Sequence, residues 1–459
     1  MADMKLIRGG IVLSMVDGDP PREADLLIEG DRILAIGSEE EVSRLGGGAT
    51  RIDARNCLVM PGLINSHTHT PMTMMRSTSD DVGAPDPSRP ATLPPNRDWR
   101  GNLTRDDIYW SSCLAIAEMI RCGTTSFVDM YHDMDQVARA VVDAGVRAAL
   151  GWEIISFRTD VKEWLPYDEE TARQSFEASG RFVSDWNGKA DGRLQALVAP
   201  HETSTCHEPW LTRSAELAEQ LGVGITMHLA ESLREVDYCR KHHGATPVEV
   251  AEGAGILDHH VIGAHSIHLT QHDIAVLAEA DFVAAACLGS YLKLADKPTP
   301  VPDLVKAGVD VAIGTDSAET NNNLSVWEEV YLNATLHAFL AMDASLVPAN
   351  VALRMATVGG ARALGLESEL GTLVQGKKAD ITIVDLNGPH LHPLEGALIG
   401  NLVYAGSGHD VRDVLVDGRF LMRERQLMTI DEHAVIREVS ARVRRLRGEV
   451  GLPSSYSTT

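Results

Sequence analysis

The chain has 459 residues, 23% of them charged, and a formal net charge of −24 at pH 7. That length exceeds one small domain and suits a large domain with an accessory one, and the negative charge argues against nucleic acid or an anionic membrane surface as a partner. No run approaches the roughly 18 uninterrupted apolar residues of a membrane span, Met1-Ala2-Asp3-Met4-Lys5 has no basic flank leading into an apolar signal core, and the six cysteines are scattered without a Cys-x-x-Cys pair, so reduced thiols in a cytoplasm are expected.

The first 57 residues read as short strands and turns. Lys5-Leu6-Ile7-Arg8 and Gly10-Ile11-Val12-Leu13 come first, then two apolar runs joined by Gly30-Asp31, the signature of a tight hairpin. The same texture returns at Ala379–Asp385, Val411–Val416 and Arg419-Phe420-Leu421. Residues 1–57 and 366–430 are therefore expected to form one small β-sandwich domain built from both termini. The remainder, 431–459, reads as a charged amphipathic helix and tail packed on the outside.

Between 58 and 365 the texture changes to apolar runs alternating with amphipathic stretches. Eight such runs follow one another: Leu58–His69, Thr125–Tyr131, Arg147–Ile155, Leu194–His201, Gly224–Glu231, His260–Leu269, Phe282–Leu288 and Val309–Asp316. Near-continuous apolar strands separated by helices indicate a parallel sheet, and eight repeats favour a closed α/β barrel of the (β/α)8 TIM type. Arg105–Arg121 is a predicted helix with Thr104 as its cap and Gly123 beyond its end; Pro209–Gln220 is another. Residues 71–104, rich in proline, form a long loop after the first strand on the catalytic face, and the segment 158–192 is also long, with a helical pattern over Glu169–Trp186.

Active sites of such barrels lie at the carboxyl ends of the strands. The first run ends in His67-Thr68-His69, and residues two apart on a strand point the same way, so both imidazoles can bind one metal ion. Later runs deliver His201, then His228 and Glu231, then His265 and His268, of which at most one is expected to act directly, and finally Asp316. Any one of these has an ordinary alternative as a capping, turn or core residue. Their joint placement at the ends of strands is a metal-ligand and acid–base inventory.

The motifs Pro61-Gly62-Leu63-Ile64-Asn65-Ser66-His67-Thr68-His69-Thr70, His228-Leu229-Ala230-Glu231, Ala264-His265-Ser266-Ile267-His268-Leu269 and Gly314-Thr315-Asp316 resemble the amidohydrolase superfamily. The resemblance is to the branch of S-adenosylhomocysteine/methylthioadenosine deaminases, guanine deaminases and triazine (atrazine-type) hydrolases, and it covers nearly the whole chain. It implies that His67, His69, His228 and Asp316 hold one divalent metal ion, zinc by default, with iron, cobalt or manganese as alternatives. It further implies that Glu231 shuttles protons, that His265 stabilises the developing oxyanion, that Asp316 takes the proton of the attacking water, and that His201 and Glu118 face the substrate. Binuclear relatives use a lysine after the fourth strand; Leu194–His201 contains none, so a mononuclear site is implied.

The implied reaction is hydrolysis of a carbon–nitrogen bond other than a peptide bond: deamination of an amino-substituted nitrogen heterocycle of purine, pterin or triazine type by a metal-activated water. A urea, carbamate, amide or carbon–halogen bond is the alternative for the same centre. A small-molecule substrate and a homo-oligomer, dimer or larger, are the partners implied. The chain departs from the family pattern at Ser317, where glycine is common, and after the seventh strand, where Ala286, Leu288 and Tyr291 stand in place of His, Pro and Asn. The loop 71–104 lacks the usual Trp-Leu pair, leaving Trp99 as its aromatic residue. None of these changes removes an implied ligand, but they loosen the link to a nucleoside or guanine substrate.

Overall fold

The structure is a computed structural model that describes residues 4–78, 80, 100–157 and 166–451. Trp99, most of the 71–104 loop and the segment 158–165 lie outside the described residues.

Eight parallel strands form the central sheet: Leu63–Thr68, Thr124–Tyr131, Arg147–Ile154, Leu194–Pro200, Ile225–Leu229, Val261–His265, Phe282–Ala286 and Asp310–Ile313. Each pairs with the next in sequence. A parallel bridge between Thr68 and Asp316 joins the last segment to the first, so the sheet closes into a barrel. Helices follow the strands, among them Arg105–Arg121, Met134–Ala144, Glu169–Trp186, Trp210–Leu221 and Gln271–Glu279. The predicted cap of the first is present: the Thr104 hydroxyl accepts the Asp107 N–H, and the Asp107 carboxylate accepts the Thr104 N–H at 2.8 Å. Such reciprocal caps satisfy donors that a helix start otherwise leaves orphaned.

The first predicted run, Leu58–His69, contains two strands rather than one. Cys57–Pro61 belongs to a separate nine-stranded mixed sheet, while Leu63–Thr68 opens the barrel. The break falls at Gly62, where a Cβ would collide with the side chain of Thr125. Cys57–Pro61 is the strand that unites the two ends of the chain. It runs parallel to Met4–Val12 and antiparallel to Ile381–Asp385, with Asp385 opposite Cys57 and Ile381 opposite Pro61. The hairpin forms as its sequence predicts: Arg22–Glu29 and Arg32–Gly37 pair antiparallel around Gly30, whose φ is +61°.

Two polar joints fasten these parts. At the foot of the barrel Arg147 is 4% exposed and binds Asp380 at 3.0 Å and Asp417 at 2.7 Å, both from the terminal sheet. The C-terminal helix Glu432–Glu449 buries Val435, Val439 and Leu446, and its Arg445 pairs with Asp107 at the start of the helix Arg105–Arg121.

Candidate active site

The carboxyl ends of the strands carry backbone conformations that side chains normally avoid. Ala230 (φ +51°), His265 (φ +73°), Ser266 (φ +49°) and Asp316 (φ +60°) are left-handed, and each stands at or just past the end of the fifth, sixth or eighth strand. Such residues each cost on the order of 1–3 kcal/mol and cluster where a fold must aim a side chain. His67 is 0% exposed, and it sits against Gly314 of the neighbouring seam, where a Cβ would come within 2.8 Å of the His67 Cβ.

These turns bring together four imidazoles and one carboxylate. The ring of His67 lies 4.8 Å from His69, 5.1 Å from His228 and 4.9 Å from His265, centre to centre. Oδ1 of Asp316 is 3.6 Å from His69 Nε2 and 3.9 Å from His67 Nε2. Two overlapping groups, His67/His69/His228 and His67/His265/Asp316, each have their donor atoms within 4.8 Å of one another.

The hydrogen bonds around the rings test whether a cation fits. His69 Nδ1 donates to the Met130 carbonyl at 2.6 Å, and His228 Nδ1 donates to the His201 carbonyl at 3.0 Å. With Nδ1 as the N–H of each ring, the two Nε2 atoms face each other at 3.2 Å, a spacing that calls for a proton or a cation between them. Burial alone would lower His69, but the Asp316 carboxylate, then Glu153 and Asp129, hold it above the ordinary histidine range, and a metal ion would take the place of that proton. Neither ring nitrogen of the buried His67 has a hydrogen-bond partner among the described residues. Burial, then the neighbouring imidazoles, hold His67 and His228 well below the ordinary histidine range, so both are neutral as a ligand must be. The residues present therefore fit a divalent metal.

Asp316 is fixed from both sides. The Ser317 N–H reaches Oδ1 at 2.6 Å, the Thr320 hydroxyl reaches Oδ2 at 2.9 Å, and the Asp316 carbonyl accepts the Thr68 hydroxyl at 2.9 Å. Glu231 stands at the mouth of the cluster. Tyr291 donates its phenol to Glu231 Oε1 at 2.8 Å, and Oε2 lies 3.9 Å from His265 Nε2. Of the two histidines in the sixth segment, His265 stacks on His228 at 5.2 Å, whereas His268 turns away to Asp296 at 3.6 Å. His201 ends the fourth strand with its ring 4.6 Å from His228 and Nδ1 2.8 Å from the Thr205 hydroxyl. Burial and then the neighbouring imidazoles push it down to about 3, which leaves it neutral. Glu118 pairs with Arg76 and accepts the Leu324 N–H at 3.0 Å, tying the turn after the first strand to the loop after the eighth.

Two carboxylates at the same face were not singled out from the sequence. Glu153 lies on the third strand, two residues beyond Gly151, whose missing Cβ would point at Ala199 and Thr226 inside the barrel. Its half-buried carboxyl is pushed up to about 7 by burial, against the pull of His69. Asp129, at the end of the second strand, accepts the Thr70 N–H at 3.1 Å and is pushed up to about 6, again by burial. The signal that exposes both is the one that exposes His201: a charged residue near the end of an otherwise apolar run.

Comparison with known proteins accords with this geometry. The description of the amidohydrolase family matches residues 58–421. A 5-methylthioadenosine/S-adenosylhomocysteine deaminase of Moorella thermoacetica is 42% identical over 91% of this chain and 94% of its own length. One of Caldanaerobacter subterraneus subsp. tengcongensis is 38% identical over 97% and 99%. Among solved structures, an adenosine deaminase from Xanthomonas campestris with bound zinc superposes with a TM-score of 0.86 at 29% identity, covering 98% of each chain. An atrazine chlorohydrolase from Arthrobacter aurescens complexed with zinc shares the fold, with a TM-score of 0.83 at 22% identity over 96% of this chain and 100% of its own. Motifs, barrel and relatives agree: the chain belongs to the amidohydrolase family and is a hydrolase.

Proposed function

We propose that this enzyme is a zinc-dependent aminohydrolase that replaces the exocyclic amine of an adenine nucleoside with oxygen, acting on 5′-thioether nucleosides of the kind named for its relatives. The observation that carries the reading is the convergence of His67, His69, His228 and Asp316 beside a glutamate, Glu231, held by a tyrosine. The relatives' names supply the substrate class, and the zinc-bound neighbour supports zinc for a His3Asp donor set.

His67, His69, His228 and Asp316 would hold the ion, which when bound acidifies a coordinated water from a pKa of about 15.7 toward about 7. Asp316 accepts a proton of the attacking water. Glu231 has Oε1 engaged by Tyr291, so Oε2 is the atom that gives a proton to the ring nitrogen beside the attacked carbon, then takes the remaining proton from the new hydroxyl and passes it to the departing amine, while the proton held by Asp316 restores Glu231 for the next turnover. His265, beside Glu231, donates to the oxygen that gains charge at the tetrahedral carbon, a contribution typically of about 10²–10³ in rate. His201, neutral and near His228, presents an edge for a heterocycle nitrogen. Glu118, held by Arg76, acts by shaping the wall. All six cysteines are free thiols, which supports a cytoplasmic setting.

The test is ammonia release by zinc-loaded protein from 5-methylthioadenosine, S-adenosylhomocysteine, adenosine, guanine and an aminotriazine. Ammonia with the 6-oxo product from the thioether nucleosides is expected. Absence of ammonia from every adenine nucleoside overturns the reading, and release of a different leaving group from another member of the panel puts the urea, carbamate, amide or carbon–halogen alternative in its place.

A further inference from the structure

Two segments outside the ligand set hold the two carboxylates of the site. The helix Leu288–Leu294 carries Tyr291, which binds Glu231 at 2.8 Å. The loop 317–323 carries Thr320, which binds Asp316 at 2.9 Å. Both segments meet on one buried side chain, Glu329, in the helix Val326–Ala341. Glu329 Oε2 accepts the Leu288 N–H at 2.9 Å, and Oε1 accepts the Gly289 N–H at 3.0 Å and Asn321 Nδ2 at 2.9 Å. Asn321 also donates to the Thr315 carbonyl at 2.8 Å, next to Asp316, and the hydroxyls of Ser290 and Thr320 lie 2.9 Å apart. The joint is tight: a Cβ at Gly289 would come within 2.5 Å of both Glu329 Oε1 and Asn321 Oδ1.

A buried carboxylate is costly unless its oxygens are satisfied, and both oxygens of Glu329 are satisfied by N–H donors that lie on the two segments holding the site's carboxylates. Three donors converging on Glu329 from two segments that each end on a reacting group point to geometry rather than stability as its task. We propose that Glu329 is a positioning residue that sets Glu231 through Tyr291 and Asp316 through Thr320 at the same time. The proposal rests on the roles given above to Glu231 and Asp316. Glu329 touches neither substrate nor ion; it fixes the distance between the proton carrier and the carboxylate that grips the metal.

The test compares E329Q, G289A, Y291F, T320A and the doubles E329Q/Y291F and E329Q/T320A. Two readouts are used: turnover of 5-methylthioadenosine and the rate of zinc loss to a chelator. In E329Q an amide nitrogen faces a backbone N–H donor, and in G289A the added methyl forces the joint open although alanine favours a helix. Both variants should lower kcat by about 10-fold or more with KM within about 3-fold, and both should speed zinc loss several-fold. Y291F should lower kcat alone, and T320A should speed zinc loss. E329Q/Y291F should be no more than about 3-fold slower than E329Q, because Tyr291 is already displaced. Effects that multiply in the doubles, or a folded E329Q with wild-type kcat and zinc loss, overturn the proposal. If E329Q does not fold, G289A decides by the same two readouts. If the wild-type enzyme releases no ammonia from any substrate, the functional reading fails separately; zinc loss in E329Q, T320A and their double then decides, with sub-multiplicative losses supporting the brace and multiplicative ones overturning it.

Discussion

A single imidazole decides whether the cluster can hold an ion. His228 has its outer nitrogen committed to the His201 carbonyl and its inner nitrogen aimed at His69. The variant H228A is expected to fold, to retain less than about a tenth of the wild-type zinc by mass spectrometry, and to lose about 10³ or more in kcat; a zinc content equal to wild type would remove His228 from the ligand set. Glu153 poses the opposite case, a carboxyl inside the barrel that no ligand role requires. E153Q keeps its size and removes its charge, so KM for the nucleoside should change several-fold while zinc content stays constant; an unchanged KM at pH 8 would show that Glu153 faces no substrate atom. The proposed ligands were legible as a cluster because metal-binding side chains are few in kind and stand where strands end. Glu153 and Asp129 carried the same signal but a commoner residue type. Tyr291 was visible only as a departure from family pattern, since its bond to Glu231 spans 60 positions and depends on how the helix after the seventh strand is turned.

Among elements, the strands reveal what a run of apolar residues can and cannot report. Seven of the eight runs map onto one barrel strand each, with ends moved by a few residues, because burial on both faces leaves no alternation to misread. The run Leu58–His69 does not, because its two halves are equally apolar and only pairing partners distinguish them. Those partners, Ile11 and Asp385 among others, lie far away in the chain. Gly62 is the hinge, and its N–H reaches the Asp380 carbonyl at 3.0 Å. G62A should destabilise the fold by about 1–3 kcal/mol by driving a methyl into Thr125, measured by urea denaturation. Adding T125A, which removes the two nearest obstructing atoms and leaves the Cβ at 2.6 Å, should recover part of the loss; equal stability of G62A and wild type would mean that the strand junction yields freely. The helices were legible to within one residue at Arg105–Arg121 and Glu169–Trp186 because Thr104 and Asp168 cap them by local chemistry.

Across the whole molecule, the terminal sheet and the barrel are joined by charge as well as by packing. Arg147 is held between Asp380 and Asp417 with almost no exposure. Removing one partner of such a group leaves a buried charge uncompensated, so R147M should cost about 3–5 kcal/mol in a urea titration, and a loss below about 1 kcal/mol would show that water reaches the joint. Buried acid groups set the pH response. Burial raises Glu153 to about 7, and burial with a neighbouring carboxylate raises Glu202 to about 7 and Glu235 well above the ordinary range. Each is protonated in the folded chain at a pH where the unfolded chain has released that proton, so stability falls as pH rises toward the folded value. Below about 6.5 the buried histidines act in the opposite sense, since protonation favours the unfolded chain there. The urea midpoint of chelator-treated protein should therefore decline between about pH 6.5 and 7.5, and E202Q should flatten that decline; a midpoint that rises across this window would contradict the assignment.

Thr68 and Asp316, whose bridge completes the ring of strands, are 248 positions apart. The N–H groups of Thr315 and Asp316 both return to the carbonyl of His67, so the first and last staves of the barrel meet at the proposed ligands. A nascent or truncated chain that stops before residue 316 can therefore present histidines but never a complete grip. On the proposed ligand set, an ion would clasp two ends of the barrel 248 positions apart, and activity would report that the circuit has been closed.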